Sequence, residues 1–247
     1  MEKIKELSKN IFIIPSIILA FGLIFASAAI GDTFYKIRAL DNTISVTGST
    51  KTRVTSDSVK WTSSISRNVT QSTMKDGYSE LSADLGIIKK FLAGKGINDS
   101  EITVSPVFTN EVYKYNQNDS GPREYTLLQT ITINSNDVPK ITEVAKNIQD
   151  IINRGVMFSN QSPEYYYSKL SDLRVSLLGD AIKDAKARAL VLANSSGRNV
   201  GSMKSAASGV VQVLAPNSIE VSDYGQYDTQ SIEKDIMVTV RASFLVE

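Results

Sequence analysis

The spacing of apolar and polar residues changes several times along the chain, and each change marks an element. The first segment has no alternation at all. Residues 11–30 read IFIIPSIILAFGLIFASAAI, without a charged side chain. At about 1.5 Å of rise per residue, such a helix spans roughly the 30 Å hydrocarbon core of a bilayer. After residue 43 the period becomes two. Ile44, Val46 and Gly48 alternate with polar neighbours. Val59, Trp61, Ile65 and Val69 then share one parity, while Lys60, Thr62, Ser64, Ser66 and Asn68 hold the other. This predicts two strands, the second long and wet on one face.

The period then lengthens to that of a helix. Tyr78, Leu81, Leu85, Ile88 and Leu92 recur at steps of three and four, predicting an amphipathic helix over about 72–93, stopped by Gly94 and Gly96. Extended structure follows from Ile102 to about residue 115. A turn-rich loop, NQNDSGPRE (116–124), leads to the alternating Tyr125, Leu127, Ile131 and Ile133, so the loop should join an antiparallel pair. Asp137 can cap a further helix, with Pro139 in its first turn. Ile141, Val144, Ala145, Ile148 and Ile152 line its face, and Gly155 ends it.

An extended stretch at 156–167 precedes the longest soluble helix, over 170–195. Its Ala181, Ala185, Ala189 and Ala193 form a ridge of small residues that permits close packing, and Leu173, Leu177, Leu178, Ile182, Leu190 and Leu192 supply bulk. A strand at 210–214, a polar loop at 216–233 and a strand on Ile236, Val238, Val240, Ala242, Phe244 and Val246 complete the chain.

The order ββα ββ αβ α ββ implies an α+β fold of antiparallel or mixed sheets packed by helices, in two subdomains, after one transmembrane helix. The expected divisions are a cytoplasmic N-terminus (1–10), a signal anchor (11–30), a short polar connector (31–41) and an extracytoplasmic domain (42–247). Within that domain the subdomains are roughly 42–124 with the C-terminal strands, and 125–200. Lys3, Lys5 and Lys9, partly offset by Glu2 and Glu6, place the N-terminus in the cytoplasm by the positive-inside rule. The competing expectation is cleavage and secretion at Ala26-Ser27-Ala28. Against it, the apolar run exceeds the h-region of about 7–15 residues typical of signal peptides.

Composition narrows the chemistry. The 247 residues include neither cysteine nor histidine. That removes disulfides, thiolate nucleophiles, Ser-His-Asp triads and ordinary zinc sites from a single chain. A net charge of +1 shows no basic excess of the kind nucleic-acid binding needs, so no nucleic-acid partner is expected. No cofactor is expected either.

Four local features invite a chemical reading. TGSTKT (47–52) resembles part of a phosphate loop. It lacks a glycine beside Lys51 and leads into a strand rather than a helix, so Gly48 reads as a strand-end glycine that permits a bulge or a close backbone approach. Ser72 and Lys75 match the S-x-x-K of serine acyl-transferases without their companion motifs, which makes an envelope serine hydrolase the alternative function. Asp223 and Asp228 lie in a polar loop and could bind a cation or sugar, against the simpler reading of a solvated loop. Tyr165, Tyr166, Tyr167, Tyr224 and Tyr227 are candidate interface residues, with core packing on alternate rings as the other reading of the Tyr165–Tyr167 run.

Three segments carry a family resemblance. These are TISVTGSTKTRVTSDSVKWTSSI (43–65), GIIKKFLAGKGINDSEITV (86–104) and SPEYYYSKLSDLRVSLLGDAIKDAKARALVLANSSGRNVG (162–201). In this order they resemble the SIMPL-domain family. The first is similar to its V-x-G-x-G…P-D opening, with Thr50 in place of the second glycine and Ser56 in place of the proline. The resemblance implies a two-subdomain α+β fold, a bacterial cell-envelope location and, as in some members, large ring-like homo-oligomers. It implies no catalytic residues. The expectation is a membrane-anchored, non-enzymatic scaffold or partner-binding module. A sensor or binding module for a small envelope solute is a further alternative.

Overall fold

A computed structural model describes residues 2–39, 42–113 and 121–247, with side chains of the first helix described over 15–36. That helix, α1 (Glu2–Ala39), contains the apolar run. Residues 15–36 are long and apolar enough to cross a membrane, and none of that stretch is buried against the protein. The segment expected as a polar connector is therefore helical through residue 39. Most of the expected 116–124 loop lies outside the described residues.

The remaining elements are β1 (Thr43–Thr55), β2 (Ser58–Thr70), α2 (Met74–Gly94), β3 (Ile102–Val104), β4 (Phe108–Glu111), β5 (Glu124–Ser135), α3 (Val138–Lys146), α4 (Gln149–Ile152), β6 (Phe158–Asn160), β7 (Glu164–Tyr166), α5 (Leu170–Ser195), β8 (Val200–Ser208), β9 (Gln212–Leu214) and β10 (Glu233–Val246). The chain forms two compact units. One comprises 1–49, 178–209 and 239–247, the other 50–177 and 210–238, so the division falls inside β1, α5 and β10. The boundary expected near 124/125 is not where the chain divides. β5 pairs antiparallel with β2 from Val59–Ser135 to Thr70–Glu124, which ties both sides of that boundary into one sheet.

The larger unit is built on a six-stranded sheet of order β3-β5-β2-β6, with β4 also on β5 and β7 also on β2. β4 and β5 form the expected antiparallel pair. The apolar parity of β2 faces a core of Trp61, Ile65, Leu81, Ile88, Leu92, Leu127, Ile131, Ile133, Ile141 and Ile151, all essentially fully buried. Gly77 lets α2 approach the sheet, since a Cβ there would strike the Val69 side chain. Asp84 sits on the buried stripe of α2 and receives a bidentate bond from Arg67 on β2, at 2.6 and 2.7 Å. That pairing satisfies a carboxylate which burial would otherwise penalise. Tyr78, expected on the inner face, is exposed and meets Thr109 Oγ1 at 2.9 Å. Asp137 caps α3 through Lys140 N–H at 3.1 Å as expected, but α3 stops at Lys146 and Gln149–Ile152 forms a separate turn of helix.

In the smaller unit, the facing portions of β1, β10 and β8 form a sheet in which β10 is central. Helix α5 packs on β1 and β10 through Val46, Val240, Ala242 and Phe244, against Ala181, Ala185 and Ala189. All four alanines of the ridge are 0% exposed. Leu190 and Leu192, expected as bulk, are instead exposed beside Val191. β8 was not foreseen in the sequence; residues 202–208 are exposed throughout.

Candidate functional site

The TGSTKT stretch contains three separate anchoring contacts. A Cβ placed on Gly48 would lie 2.7 Å from the Ala185 Cβ and closer still to the Ala181 carbonyl and the Ala185 nitrogen. Gly48 is thus required by the approach of α5, one of the two roles the sequence allows it, and it lies inside β1 rather than at a strand end. Beside it, Ser49 N–H donates to Asp184 Oδ2 at 2.8 Å, and Arg188 donates to the same oxygen at 2.8 Å. The Ser49 N–H, against the cost of burial and helped by Arg188, holds the Asp184 carboxyl below its usual range.

Lys51 belongs to another cluster. Its ammonium lies 3.1 Å from Asp235, a carboxylate with only 2% of its side chain exposed. Arg53 Nε donates to Asp235 at 2.8 Å, and Asn217 N–H donates at 3.0 Å. The Arg53 guanidinium, with Asn217 and Lys51 and against burial, holds the Asp235 carboxyl far below the usual carboxylate range. Asn217 adopts φ 62°, in the left-handed region that asparagine tolerates better than most residues. The cluster fixes the start of the 216–232 loop onto β10. Charge pairing, rather than phosphate binding, accounts for the lysine.

Ser72 and Lys75 are both exposed. Ser72 Oγ pairs with Thr70 Oγ1 at 2.9 Å, in the turn before α2. Among the described residues, no hydrogen bond joins Ser72 to Lys75.

The loop holding Asp223 and Asp228 is more ordered than its composition suggests. Val213 pairs in parallel with Tyr227, through Val213 N–H to Gln226 O and Asp228 N–H to Val213 O, both 2.8 Å. Asp228 accepts the N–H groups of Gln230 at 3.0 Å and Ser231 at 3.2 Å. Lys234 is fully buried; its Nζ donates to the carbonyls of Asp228 and, at 2.8 Å, Ser231. Burial pushes the Lys234 ammonium below the usual lysine range, with the nearby Asp228 opposing. Asp228 is a loop-forming residue, while Asp223 is exposed. Among the described residues, no group of three or more acidic side chains could hold a metal ion.

The tyrosines separate. Tyr165 is buried in the core of its own unit, with its hydroxyl 3.0 Å from Thr142 Oγ1, which removes it from the candidate interface. Tyr166 is half-buried, tilts against Tyr227 at 5.9 Å between ring centres and donates to Glu164 at 2.8 Å. Tyr167 is half-buried. Tyr224 is 97% exposed, close to the exposed Ile219 and Val221.

A family model described as SIMPL, protein of unknown function (DUF541), matches residues 44–244. The chain belongs to the SIMPL family. No curated protein matches the chain. The matched span begins in β1 and ends in β10, so it takes in the larger unit and the part of the smaller one that follows α1. One departure from the family opening now has a physical account. Ser56 stands where the family pattern has proline, and its backbone N–H donates to Ile232 O at 2.8 Å, a bond proline cannot make. Its side chain is buried and its Oγ finds no partner. The adjacent Asp57 accepts both the N–H and the hydroxyl of Ser168 at 2.7 Å, at the entry to α5.

Sequence reasoning missed Asp84, Lys234 and Asp235. Two carry a signal. Lys234 shares parity with Ile236 and Val238, and Asp84 falls on the helical stripe of Leu81 and Ile88. Asp235 lies on the opposite parity, where Lys51, Arg53 and the Asn217 N–H meet its carboxylate.

Proposed function

We propose that this SIMPL protein is a membrane-anchored, non-enzymatic envelope module that works by homo-oligomeric assembly or partner binding. α1 is its anchor, retained in the membrane with the N-terminus cytoplasmic and the SIMPL domain outside. The lysines before the apolar run support that orientation. The coarser observation, an N-terminal apolar helix, fits a membrane anchor or a signal sequence alike.

The observation that carries the assembly reading is the state of the sheet in the smaller unit. Among the described residues, neither the outer edge of β8 nor that of β1 over 43–49 pairs with another strand. Sheet edges are normally blunted by charge, proline or bulges. Residues 43–49 carry no charge and no proline, whereas 200–208 carry one lysine, no proline and two register shifts against β10, so β1 is the barer of the two edges and β8 is blunted in part. Two open edges on opposite sides of one sheet suit a heterologous contact, in which β8 of one copy meets β1 of the next. The exposed Leu190, Val191 and Leu192 of α5 add apolar surface that assembly would cover.

The test is the mass of the full chain in detergent micelles, measured by sedimentation with the detergent contribution subtracted. Discrete multimers support assembly; a monomer across the concentration range sinks it. The hydrolase alternative has less support, because Ser72 and Lys75 are both solvated. Covalent labelling of Ser72 by an acyl-serine probe would revive it.

A further inference from the structure

A second feature is independent of assembly and lies wholly within the larger unit. A cleft of about 440 Å³ opens between the last turn of α3, the β6–β7 turn and the loop before β10. This falls within the size range of small-molecule sites, roughly 300–1,000 Å³.

Its walls are fixed. Asn160 is held at both ends of its amide: Trp61 Nε1 donates to its Oδ1, and its Nδ2 donates to Ala145 O, each at 2.8 Å. Thr142 Oγ1 donates to Val138 O at 2.7 Å, so the Tyr165 hydroxyl 3.0 Å away donates to Thr142 and leaves its own lone pairs free as acceptors. Gln230 is positioned by the loop around Lys234. Its N–H is bound by Asp228, and Thr229 O accepts Tyr165 N–H at 2.8 Å. The buried lysine thus shapes one side of the cleft.

Its mouth is donor-rich. Lys146, Gln161 and Gln230 line it, and among the described residues no side-chain hydrogen bond or ion pair engages their head groups. No carboxylate lines it. The nearby acids are engaged elsewhere, Glu143 with Asn147 at 2.6 Å and Glu164 with Tyr166 at 2.8 Å. One cation and several neutral donors, with no acid, select against cations and favour a single negative charge.

We propose that this cleft binds a small monoanionic solute bearing hydroxyl or amide groups. Its carboxylate sits on Lys146, and its polar body lies across Gln161, Gln230 and the Tyr165 hydroxyl.

The chain supplies its own reporter. Trp61 is its single tryptophan, and its indole N–H ends on Asn160 in the cleft wall. The ¹⁵N-labelled full chain in detergent micelles is titrated with D-glucuronate and with N-acetylglycine while the indole resonance is followed. D-glucose and N-acetylglycinamide serve as uncharged controls. The expected result is a saturable shift with at least one acid in the millimolar range, about tenfold weaker or absent with its neutral analogue. Lys146→Glu should weaken the acid at least about tenfold while leaving the unliganded resonance in place. Lys146 is exposed, so the substitution does not threaten the core. Gln230→Ala should weaken binding by a smaller factor. No saturable shift with either acid, equal responses to acid and neutral analogue, or unchanged binding by Lys146→Glu would each overturn the proposal.

Discussion

The two units of the SIMPL domain bury their apolar surface by opposite means. The larger unit uses bulk: Trp61, isoleucines and leucines fill the space between helices and sheet. The smaller uses absence, with a glycine on β1 meeting an alanine ridge on α5. In the first, free energy comes from apolar area removed from water, and the core fails when volume is lost. In the second, the α5 side of the contact offers little side-chain area, and Val46, Val240 and Phe244 pack against alanines. Close backbone approach is the contact, and it fails when volume is added.

Substitutions of opposite kind should therefore separate the units, with chemical denaturation of the full chain in detergent as the measurement. The largest effect is expected from Trp61→Ala. It empties the centre of the larger core and orphans the Asn160 oxygen, for a loss of about 4 kcal/mol. Slightly smaller, about 3 kcal/mol, is the loss from Gly48→Val or Ala185→Leu, since the facing atoms of α5 include backbone that cannot step aside. If Ala185→Leu were neutral while Trp61→Ala were severe, the smaller unit would not be packed on its alanines.

Asp235→Ala removes a buried carboxylate that accepts from Arg53 and Asn217, and about 2 kcal/mol should be lost. The same group sets a pH dependence. Its folded-state pKa is depressed, so its contribution is complete above the unfolded value of about 3.9 and is lost as pH falls below that toward the folded value. Asp235→Asn should flatten that acid limb. Lys234 gives a slope of the same sign in an alkaline window, although folding penalises its charged form where it favours that of Asp235. Its folded pKa is also depressed, so the unfolded chain binds more protons in the affected window, and stability rises as pH climbs toward about 10.4. The smallest effect is a gain. Ser56→Ala removes a buried hydroxyl without a partner and keeps the N–H to Ile232, which should add about 1 kcal/mol. No gain would mean that the Ser56 hydroxyl is satisfied in solution.

Periodicity made most of this legible in advance. The parity of β2, the bounds of α5 and the alanine ridge are all readable, because each element has one wet and one dry face. The role of Gly48 was legible only in part, because the incomplete nucleotide motif left a bulge or a close approach at a strand end, and β1 instead continues through it to Thr55. β8 was missed for the converse reason. An edge strand exposed over 202–208 leaves no alternation to read, and GSMKSAAS has little β-branching. The helical continuation of α1 past the apolar run is likewise silent, since a solvated helix needs no apolar stripe. The cleft was not legible either. Thr142, Asn160 and Gln230 are far apart in sequence and meet only because β6, α3 and the Lys234-anchored loop converge. The tyrosine run was legible only by parity, which buries Tyr165 and leaves its neighbours half-exposed.

The central claim, that copies meet edge to edge, is best tested by crosslinking, because the native chain has no cysteine to interfere. Cysteines are placed in pairs, one at an exposed position of β1 such as Thr47 and one along β8 such as Ser205, and oxidised in native membranes. Disulfides form only where Cα atoms come within about 7 Å. The account expects some β1–β8 pairings to give a ladder of linked multimers, while either cysteine alone gives none. Monomers from every pairing, or dimers from a single cysteine, would contradict it.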